Sequence, residues 1–520
     1  MKFIVMYLIL ILFSIGEILG QNPKEQTLNE NVLWITLNDS NLKPTKNNKS
    51  NIKSNNGKLN KIFENNKVVH YSQALPFAKT PALLKIYQID CKGNASKLKG
   101  ILKKEFANEI KGVRQFYNPI ATYDPTDYMW YLTTQDTTGW LWHLHKIKAN
   151  LAWDITHGDP NVNIAIIDTW FDVNHPDLSQ KINPHYDPYT STSFTSDCKQ
   201  DNHGTTVASF AAAETDGGGQ LASVGFNTNL LCFTWGNGVA KALYASNVMH
   251  ADVVSISWYS SCNRQTGNDE GQDSLIIKEI LDNGTIIVAS AGNGSENCNG
   301  GVIYPFSANY DQRIIKVTST DINDNHTYFK DGVNKTHSHY PNVDICAPGY
   351  CVMGAKCTEN EVNGNCEENT WPYYGCCTGT SFATPIVAGV CALMRSVNPC
   401  ITPIEAQDII KSTADPVNDA NLYPGMVGAG RINAYRCVKE AATNYIQNET
   451  LSGTQTIASH IIEAGNHVTN SEPTGDVTVQ NGANITFAGR YEVTLKSGFE
   501  VVSGAELTID VDVNNTISCN

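Results

Sequence analysis

The sequence predicts an α/β fold: a mostly parallel β-sheet with helices on both faces, preceded by a small α+β segment and followed by a small all-β module. Three observations lead to this prediction. In the middle of the chain, short runs of Ile, Val and Ala alternate with stretches of helical spacing, as in a sheet covered on both faces. Residues 83–117 follow a strand, helix, strand pattern. The last 70 residues form short alternating runs separated by regularly spaced glycines.

The first 20 residues have the composition of a secretory signal peptide. Lys2 provides the positive charge, residues 3–15 form an apolar run, and Gly20 is a small residue at a plausible cleavage point. A membrane anchor is the alternative, but the run is short for a bilayer span of about 20 residues. We therefore expect residues 1–20 to be removed and the mature protein to be exported without a membrane span.

Residues 21–122 are predicted to be a separate pro-segment. They contain 17 Lys and Arg against 7 Asp and Glu, a net charge of +10 in a chain of net charge −14, so the remainder carries −24. We expect a strand at 83–89, a helix at 95–109 and a strand at 113–117, with a flexible stretch at 41–60. A nucleic-acid arm is the alternative for a basic segment. The dispersed lysines and the expected export disfavour it, so no nucleic-acid partner is expected.

Fifteen cysteines in a 520-residue chain agree with an oxidising compartment. Cys346 and Cys391 lie in apolar surroundings that predict buried free thiols. Five others are concentrated between residues 351 and 377, where we expect disulfides; the segment lacks the paired Cys-x-x-Cys spacing of zinc sites. The crowded cysteines are Cys351, Cys357, Cys366, Cys376 and Cys377. We also expect two disulfides elsewhere, Cys262–Cys298 and Cys400–Cys437.

The central part of the chain is predicted to be built from buried strands and amphipathic helices. Strands are expected at 162–167, 252–258, 286–290 and 314–318, with a helix at 274–283. Because these strands should be parallel, functional side chains are expected where their carboxyl ends meet.

The most informative segment is 379–385, Gly-Thr-Ser-Phe-Ala-Thr-Pro, which predicts a turn that places Ser381 at the start of a buried helix. A serine hydroxyl needs a base to become a nucleophile. His203 precedes Gly-Thr and an Ala-rich helical stretch, and Asp168 ends the first strand. Asn293 follows the strand at 286–290, where its amide could donate to an oxyanion. These four residues are the candidate catalytic set.

The order Asp, His, Ser and six motifs between Pro125 and Val438 resemble the subtilisin-like serine endopeptidases, the subtilase family. The motifs are Ile-Asp-Thr at 167–169, Asn-His-Pro-Asp-Leu at 174–178, His-Gly-Thr at 203–205, Ser-Ala-Gly-Asn at 290–293, Ala-Pro-Gly at 347–349 and Gly-Thr-Ser at 379–381. The resemblance implies a subtilisin-like catalytic domain over residues 123–445. It also implies that the segment 21–122 is an inhibitory propeptide and that the enzyme is a secreted, monomeric zymogen acting on proteins or peptides.

The resemblance assigns a role to each candidate residue. Ser381 would be the nucleophile and His203 the general base, Asp168 would orient the imidazole, and Asn293 would donate to the oxyanion. Predicted substrate-binding residues are Ser257, Trp258, Tyr259, Ala291 and Gly292. The reaction needs no cofactor. A structural calcium ion, frequent in the family, would have Asp177 as a possible ligand, but the metal site is otherwise unassigned.

Four departures from the family pattern are visible: Trp170 after Asp-Thr, Thr206 and Ser209 after His-Gly-Thr, Tyr259 in the strand expected to pair with substrate, and the long cysteine-rich stretch before Gly379. We expect Trp170, Thr206 and Ser209 to adjust packing. Residues 446–520 are predicted to form a β-solenoid or sandwich acting as a cap, spacer or ligand-binding module. The alternative function is therefore an inactive subtilase-like binding or adhesion protein that uses this module.

Overall fold

The computed structural model describes residues 28–45, 53–74, 83–92, 94–117, 125–127, 140–194, 203–217, 219–258, 261–262, 271–294, 303–304, 306, 311–357, 373–469 and 472–511. The chain divides into two compact units, Met1–Ala121 and Thr122–Asn520. The first unit ends one residue before the predicted end of the pro-segment at residue 122.

The first unit is an antiparallel sheet with two helices. Its strands are β1 (Leu28–Leu37), β2 (Val68–Gln73), β3 (Ile86–Cys91) and β4 (Ile110–Tyr117), in the order β2-β3-β1-β4, and its helices are α1 (Gly57–Asn65) and α2 (Ala95–Glu105). Asn56 and Asn94 cap the helices through their side-chain oxygens. The unit has its own core, which includes Leu33, Phe63 and Leu98.

The strand, helix, strand order expected over residues 83–117 is present. The sequence missed β1, α1 and β2, and the flexibility expected through residue 60 is wrong from Gly57 onward, because α1 begins there. The strand expected at 83 begins at Ile86, after a 3-10 turn at Leu83–Lys85.

The second unit contains the predicted parallel sheet. The strands of this unit that precede its C-terminal part are β5 (Asn163–Asp168), β6 (Tyr186–Asp187), β7 (Thr192–Ser193), β8 (Asn229–Thr234), β9 (Val253–Ile256), β10 (Ser261–Cys262), β11 (Ile286–Ser290), β12 (Ile303–Tyr304), β13 (Ile315–Thr320), β14 (Thr327–Lys330), β15 (Val333–Thr336), β16 (Ile345–Pro348), β17 (Val352–Ala355) and β18 (Tyr374–Cys377). Six of them form one parallel sheet in the order β16-β13-β11-β9-β5-β8.

The helices of the second unit are α3 (Trp142–Lys146), α4 (Ala149–Trp153), α5 (His203–Ala212), α6 (Gly238–Asn247), α7 (Gln272–Asp282), α8 (Thr380–Val397), α9 (Pro403–Ser412) and α10 (Ala434–Ala442). Two apolar clusters contain sheet residues of opposite parity: Ile164 and Ile166 are in one, and Ala165 and Ile167 are in the other. Both faces of the sheet are therefore covered, which explains why its strands are continuous apolar runs.

Helix α8 is almost entirely buried in this core; it packs against α5, α10 and strands β9, β11, β13 and β16. By length and composition it would suffice to cross a membrane, and 89% of this 18-residue helix is buried inside the protein. Its apolar character is therefore accounted for by core packing.

The C-terminal module is a parallel β-solenoid. Its strands are β19 (Thr443–Ile446), β20 (Glu449–Leu451), β21 (Thr454–Ala464), β22 (Val477–Val479), β23 (Asn484–Leu495), β24 (Phe499–Val501) and β25 (Glu506–Val511). They alternate between two sheets, β19-β21-β23-β25 and β20-β22-β24, and all pairs are parallel. Ile485 and Phe487 lie in its core. Ile461 packs into the core of the α/β domain, and the Ser459 hydroxyl donates to the carbonyl of Ala442.

Candidate active site

The candidate site lies at the carboxyl edge of the sheet, where the strand order changes direction. The chain passes from β5 outward to β8 and then returns to the opposite side of β5 as β9. Such a reversal leaves a crevice at the strand ends. Asp168 is the last residue of β5, Ser257 follows β9, and Asn293 follows β11 by three residues. Three candidate residues are thus placed by strands of a single sheet.

Asp168 and His203 form a short hydrogen bond in which Nδ1 of the imidazole lies 2.6 Å from Oδ1 of the carboxylate. Asp168 is 1% exposed, and the His203 side chain is 21% exposed. A carboxylate only accepts hydrogen bonds, so Nδ1 carries the proton and Nε2 is the basic nitrogen. Thr169 holds this geometry, because its hydroxyl accepts from the amide of Gly204 at 2.9 Å and ties the first turn of α5 to the end of β5.

Ser381 is in the first turn of α8, and Ser257 fixes it there by two hydrogen bonds. The Ser257 hydroxyl donates to the carbonyl of Ser381 at 2.8 Å, and the Ser381 hydroxyl donates to the carbonyl of Ser257 at 3.0 Å. The first bond is needed because Pro385, four residues later, has no N–H to donate to Ser381 within the helix. Ser257 also lines the cleft, and its predicted role in substrate binding stays a prediction.

The side chain of Asn293 is oriented by Thr380. Its Oδ1 accepts from the Thr380 amide at 2.8 Å and from the Thr380 hydroxyl at 3.0 Å. The backbone N–H of Thr380 can only donate, so the atom of Asn293 that accepts from it is the side-chain oxygen Oδ1. The side-chain nitrogen Nδ2 of Asn293 is therefore the group that can donate to substrate. The Thr380 hydroxyl also accepts from the amide of Gly292 at 3.1 Å. Gly292 has φ +97°, a conformation that favours glycine.

These residues line one cleft of about 220 Å³. The lining consists of Asp168, Thr169, His203, Trp235, Ser257, Trp258, Ser290, Gly292, Asn293, Thr380 and Ser381. The indole N–H of Trp258 donates to the carbonyl of Ile167 at 2.7 Å, which fixes that ring beside the end of β5. Ala291 is buried with Tyr340 and Val343, while its neighbour Gly292 lines the cleft. Tyr259 lies outside the described residues.

The sequence did not identify Thr169, Thr380 or Trp235 as parts of this site. Thr169 and Thr380 are adjacent to Asp168 and Ser381, so their hydroxyls were a detectable signal. Trp235 directly follows β8, and its position at a strand end was the corresponding signal. Thr206 and Ser209 adjust packing, as expected: the Thr206 hydroxyl donates to the carbonyl of Ala355, and the Ser209 hydroxyl accepts from its amide, joining α5 to β17.

Asp177, the possible calcium ligand, is buried and already accepts hydrogen bonds at both oxygens. Oδ2 accepts from the Tyr374 hydroxyl at 2.6 Å, and Oδ1 accepts from the amide of Gln220 at 2.9 Å. Burial raises the pKa of Asp177. Within the described ranges, no group of three or more His, Cys, Asp or Glu residues could hold a metal ion. A calcium site stays a prediction without assigned ligands.

The predictions about cysteine have mixed outcomes. Cys346 and Cys391 are buried free thiols, which confirms that prediction. Cys351 and Cys376 form a disulfide within the cysteine-rich stretch. The predicted Cys400–Cys437 pair is wrong: Cys437 is a buried free thiol that contacts the Thr413 hydroxyl. Cys298 and Cys366 lie outside the described residues, so the Cys262–Cys298 pair stays a prediction.

The chain is similar to known proteins over its central part. The profile of the peptidase S8 family, the subtilases, matches residues 159–453. A thermophilic serine proteinase of Bacillus sp. strain AK1 is 30% identical over 334 residues, which cover 62% of this chain and 73% of that protein. Thermitase of Thermoactinomyces vulgaris is 31% identical over 303 residues, 56% of this chain and 94% of the relative. A crystal structure of fervidolysin from Fervidobacterium pennivorans aligns with a TM-score of 0.47 at 20% identity, covering 81% of this chain and 62% of that one.

The chain belongs to the subtilase family, whose fold is the α/β fold described above. At the level of the family it is a serine protease that acts on peptide substrates.

Proposed function

We propose that the chain is a secreted serine endopeptidase, made as a zymogen, that hydrolyses peptide bonds through an acyl-enzyme on Ser381. The observation that carries this proposal is the convergence of the Asp168–His203 pair, Ser381 and the Thr380-oriented amide of Asn293 on one cleft. Acyl transfer needs a nucleophile, a base, a group that orients the base and an oxyanion donor, and these four side chains have the chemistry for those four roles.

In the first step, the Ser381 hydroxyl turns from the carbonyl of Ser257 toward Nε2 of His203. Oγ then forms a bond to the carbonyl carbon of the substrate while its proton passes to Nε2. Asp168 stabilises the imidazolium that results. The carbonyl oxygen becomes an oxyanion and accepts hydrogen bonds from Nδ2 of Asn293 and from the backbone amide of Ser381, at the N-terminus of α8.

In the second step, the C–N bond breaks and the proton on Nε2 passes to the departing amine. Water then gives a proton to Nε2 and attacks the ester carbonyl, and the second tetrahedral intermediate releases the carboxylic acid product and restores the Ser381 hydroxyl. Loss of one oxyanion donor in subtilisin costs about 3–4 kcal/mol of barrier, which sets the scale for Asn293 here.

The N-terminal residues support export and activation by processing. Residues 1–20 have signal-peptide composition, and the compact unit that ends at Ala121 is basic, whereas the remainder of the chain is acidic. We infer that residues 21–122 bind the mature enzyme and inhibit it until they are removed. Opposite charge would speed the encounter, and apolar contacts would hold the complex.

The test is to express the wild type and Ser381→Ala, assay both on a general protein substrate and sequence their N-termini. The proposal predicts that the wild type hydrolyses protein and begins near residue 122, while Ser381→Ala is folded, inactive and unprocessed. Wild-type turnover in Ser381→Ala would contradict the assignment of the nucleophile. A fully active enzyme still joined to residues 21–122 would contradict the zymogen. An inactive wild type would favour the binding protein that uses the C-terminal module.

A further inference from the structure

We propose that Ser338 is a positioning residue for the oxyanion donor: it holds the two peptide groups that flank Asn293 and so fixes the direction of the Asn293 side chain. Ser338 lies between β15 and β16 and is not among the described residues that line the cleft. The inference rests on the proposed function, because it concerns how the same site stabilises the oxyanion.

The backbone around Asn293 is loose by composition, because both of its neighbours are glycine. Gly292 has φ +97° and Gly294 has φ +76°, a region that favours glycine. A Cβ on Gly294 would collide with the carbonyl of Thr336, so the segment before Ser338 approaches this glycine closely. Glycine has more backbone freedom to lose than any other residue. The position of Asn293 therefore depends on bonds from other parts of the chain.

Ser338 makes one hydrogen bond to each of the two glycines. Its backbone amide donates to the carbonyl of Gly292 at 3.0 Å, and its hydroxyl accepts from the amide of Gly294 at 3.1 Å. This carbonyl and this amide belong to the two peptide groups on either side of Asn293. Thr380 orients the side chain of Asn293, whereas Ser338 holds the backbone that carries it.

The hydroxyl bond of Ser338 matters most on the side of Gly294. Gly292 is buried, whereas Asn293 and Gly294 are exposed. The surrounding protein therefore confines the backbone before Asn293 more than the backbone after it. The bond from the Gly294 amide to the Ser338 hydroxyl compensates for this difference.

Ser338 is itself fixed to strand β13 of the central sheet. The Thr318 hydroxyl donates to the carbonyl of Ser338 at 2.7 Å, and Ser338 is 6% exposed. The preceding residue, His337, contacts the hydroxyl of Ser319 through Nδ1. An oxyanion donor is effective only if it is preorganised, and support of this kind on a rigid element provides that.

The experiment compares Ser338→Ala and Ser338→Thr with a matched control, Ser246→Ala. Ser338→Ala removes the hydroxyl that accepts from Gly294 and keeps the backbone bond. Ser246 is also 6% exposed, and its hydroxyl lies 2.9 Å from the hydroxyl of Thr285. Thr285 precedes β11, so the control removes a buried hydroxyl at the end of that strand far from Asn293. Each variant is assayed by steady-state hydrolysis of one peptide, and its thermal midpoint is measured.

Ser338→Ala should lower kcat by about 5- to 20-fold and change KM by less than about 2-fold, because an oxyanion donor acts mainly on the transition state. Ser338→Thr keeps the hydroxyl and should stay within about 3-fold of the wild type. Ser246→Ala should lower the thermal midpoint about as much as Ser338→Ala but keep the wild-type kcat. In the Asn293→Ala background, Ser338→Ala should cost less than about 2-fold, because its effect passes through the missing amide.

Four results would overturn the inference: wild-type kcat in Ser338→Ala, a loss confined to KM, an equal loss of kcat in Ser246→Ala, or full additivity with Asn293→Ala. Failure of the proposed function has a different signature, because the wild type then does not hydrolyse the peptide and Ser381 does not react with a fluorophosphonate. An enzyme that is labelled at Ser381 and whose kcat is unchanged by Ser338→Ala would contradict only the role of Ser338.

Discussion

Replacing Thr380 with Val tests whether the hydroxyl of Thr380 contributes to catalysis through Asn293. The substitution preserves the shape of a fully buried side chain and removes its hydroxyl. Two hydrogen bonds disappear, one to Oδ1 of Asn293 and one from the amide of Gly292. The bond from the Thr380 amide to Oδ1 remains, so the side chain of Asn293 keeps one of its two anchors.

The expected loss can be worked out from these contacts. The ceiling is the value of the whole oxyanion donor, about 3–4 kcal/mol. With one of two anchors removed, we expect about half of it, roughly 1.5–2 kcal/mol. At about 1.4 kcal/mol per factor of ten, kcat should fall by about 10- to 30-fold. KM should change by less than about 2-fold, because the amide acts on the transition state more than on bound substrate.

The assay is steady-state hydrolysis of one peptide by the wild type, Thr380→Val, Thr380→Ser, Asn293→Ala and the double variant that combines Thr380→Val with Asn293→Ala. Asn293→Ala should lower kcat by about 100- to 1,000-fold. Thr380→Ser keeps the hydroxyl and should stay within about 3-fold of the wild type. In the Asn293→Ala background, loss of the hydroxyl should cost little more, because its effect passes through the missing amide. Full additivity, or a change confined to KM, would refute the reasoning.

Three further predictions concern the loop, the fold and the pro-segment. The double variant Cys351→Ser with Cys376→Ser should have lower activity than the wild type while it remains folded. The reason is that the amide of Cys351 donates to the hydroxyl of Thr378, two residues before Thr380, so the disulfide helps to position the start of α8. A variant with the activity and thermal midpoint of the wild type would contradict this. Burial lowers the pKa of His143 and of His337 from 6.5 to about 3. Between pH 6.5 and about 3, these two histidines therefore bind protons in the unfolded chain but not in the folded chain, and the folded state loses stability as the pH falls. Urea titrations should show stability falling as the pH is lowered from 6 to 4, by about 1.4 kcal/mol per pH unit for each histidine, a slope that His337→Gln should reduce. Purified segment 21–122 should inhibit the mature enzyme in trans, with association slowed by salt; no inhibition at micromolar segment would exclude the inhibitory role.

Much of the fold was predictable because buried parallel strands have a simple signature. The strand at 286–290 was predicted with the boundaries it has, and the strand predicted at 162–167 is shifted by one residue, to Asn163–Asp168. Both are apolar runs that end at polar residues, and their carboxyl ends meet because the sheet is parallel. Ser381 was predictable for a different reason: the Gly-Thr-Ser turn and the small residues after it describe the start of a buried helix.

The features that sequence reasoning missed depend on contacts between distant segments. Lys241 and Asp187 are 54 residues apart, and nothing local indicates that they form a buried pair that supports Thr234. Disulfide pairing is non-local in the same way: the thiol of Cys437 was predicted to bond to Cys400, but helix α10 directs it to the Thr413 hydroxyl. The hydrogen bonds between Ser257 and Ser381 join residues 124 positions apart, so no local pattern in the sequence indicated them.

The most direct test of the central claim is covalent labelling of the mature enzyme by a fluorophosphonate, followed by peptide mapping with mass spectrometry. Only a serine activated by a neighbouring base reacts rapidly with such a reagent. We expect one adduct per molecule, located on Ser381, with loss of hydrolysis in proportion to labelling. His203→Ala should be labelled far more slowly, while Phe329→Ala, a variant of an exposed aromatic residue on β14, should be labelled like the wild type. Labelling at another serine, or an unlabelled enzyme that still hydrolyses peptides, would contradict the claim.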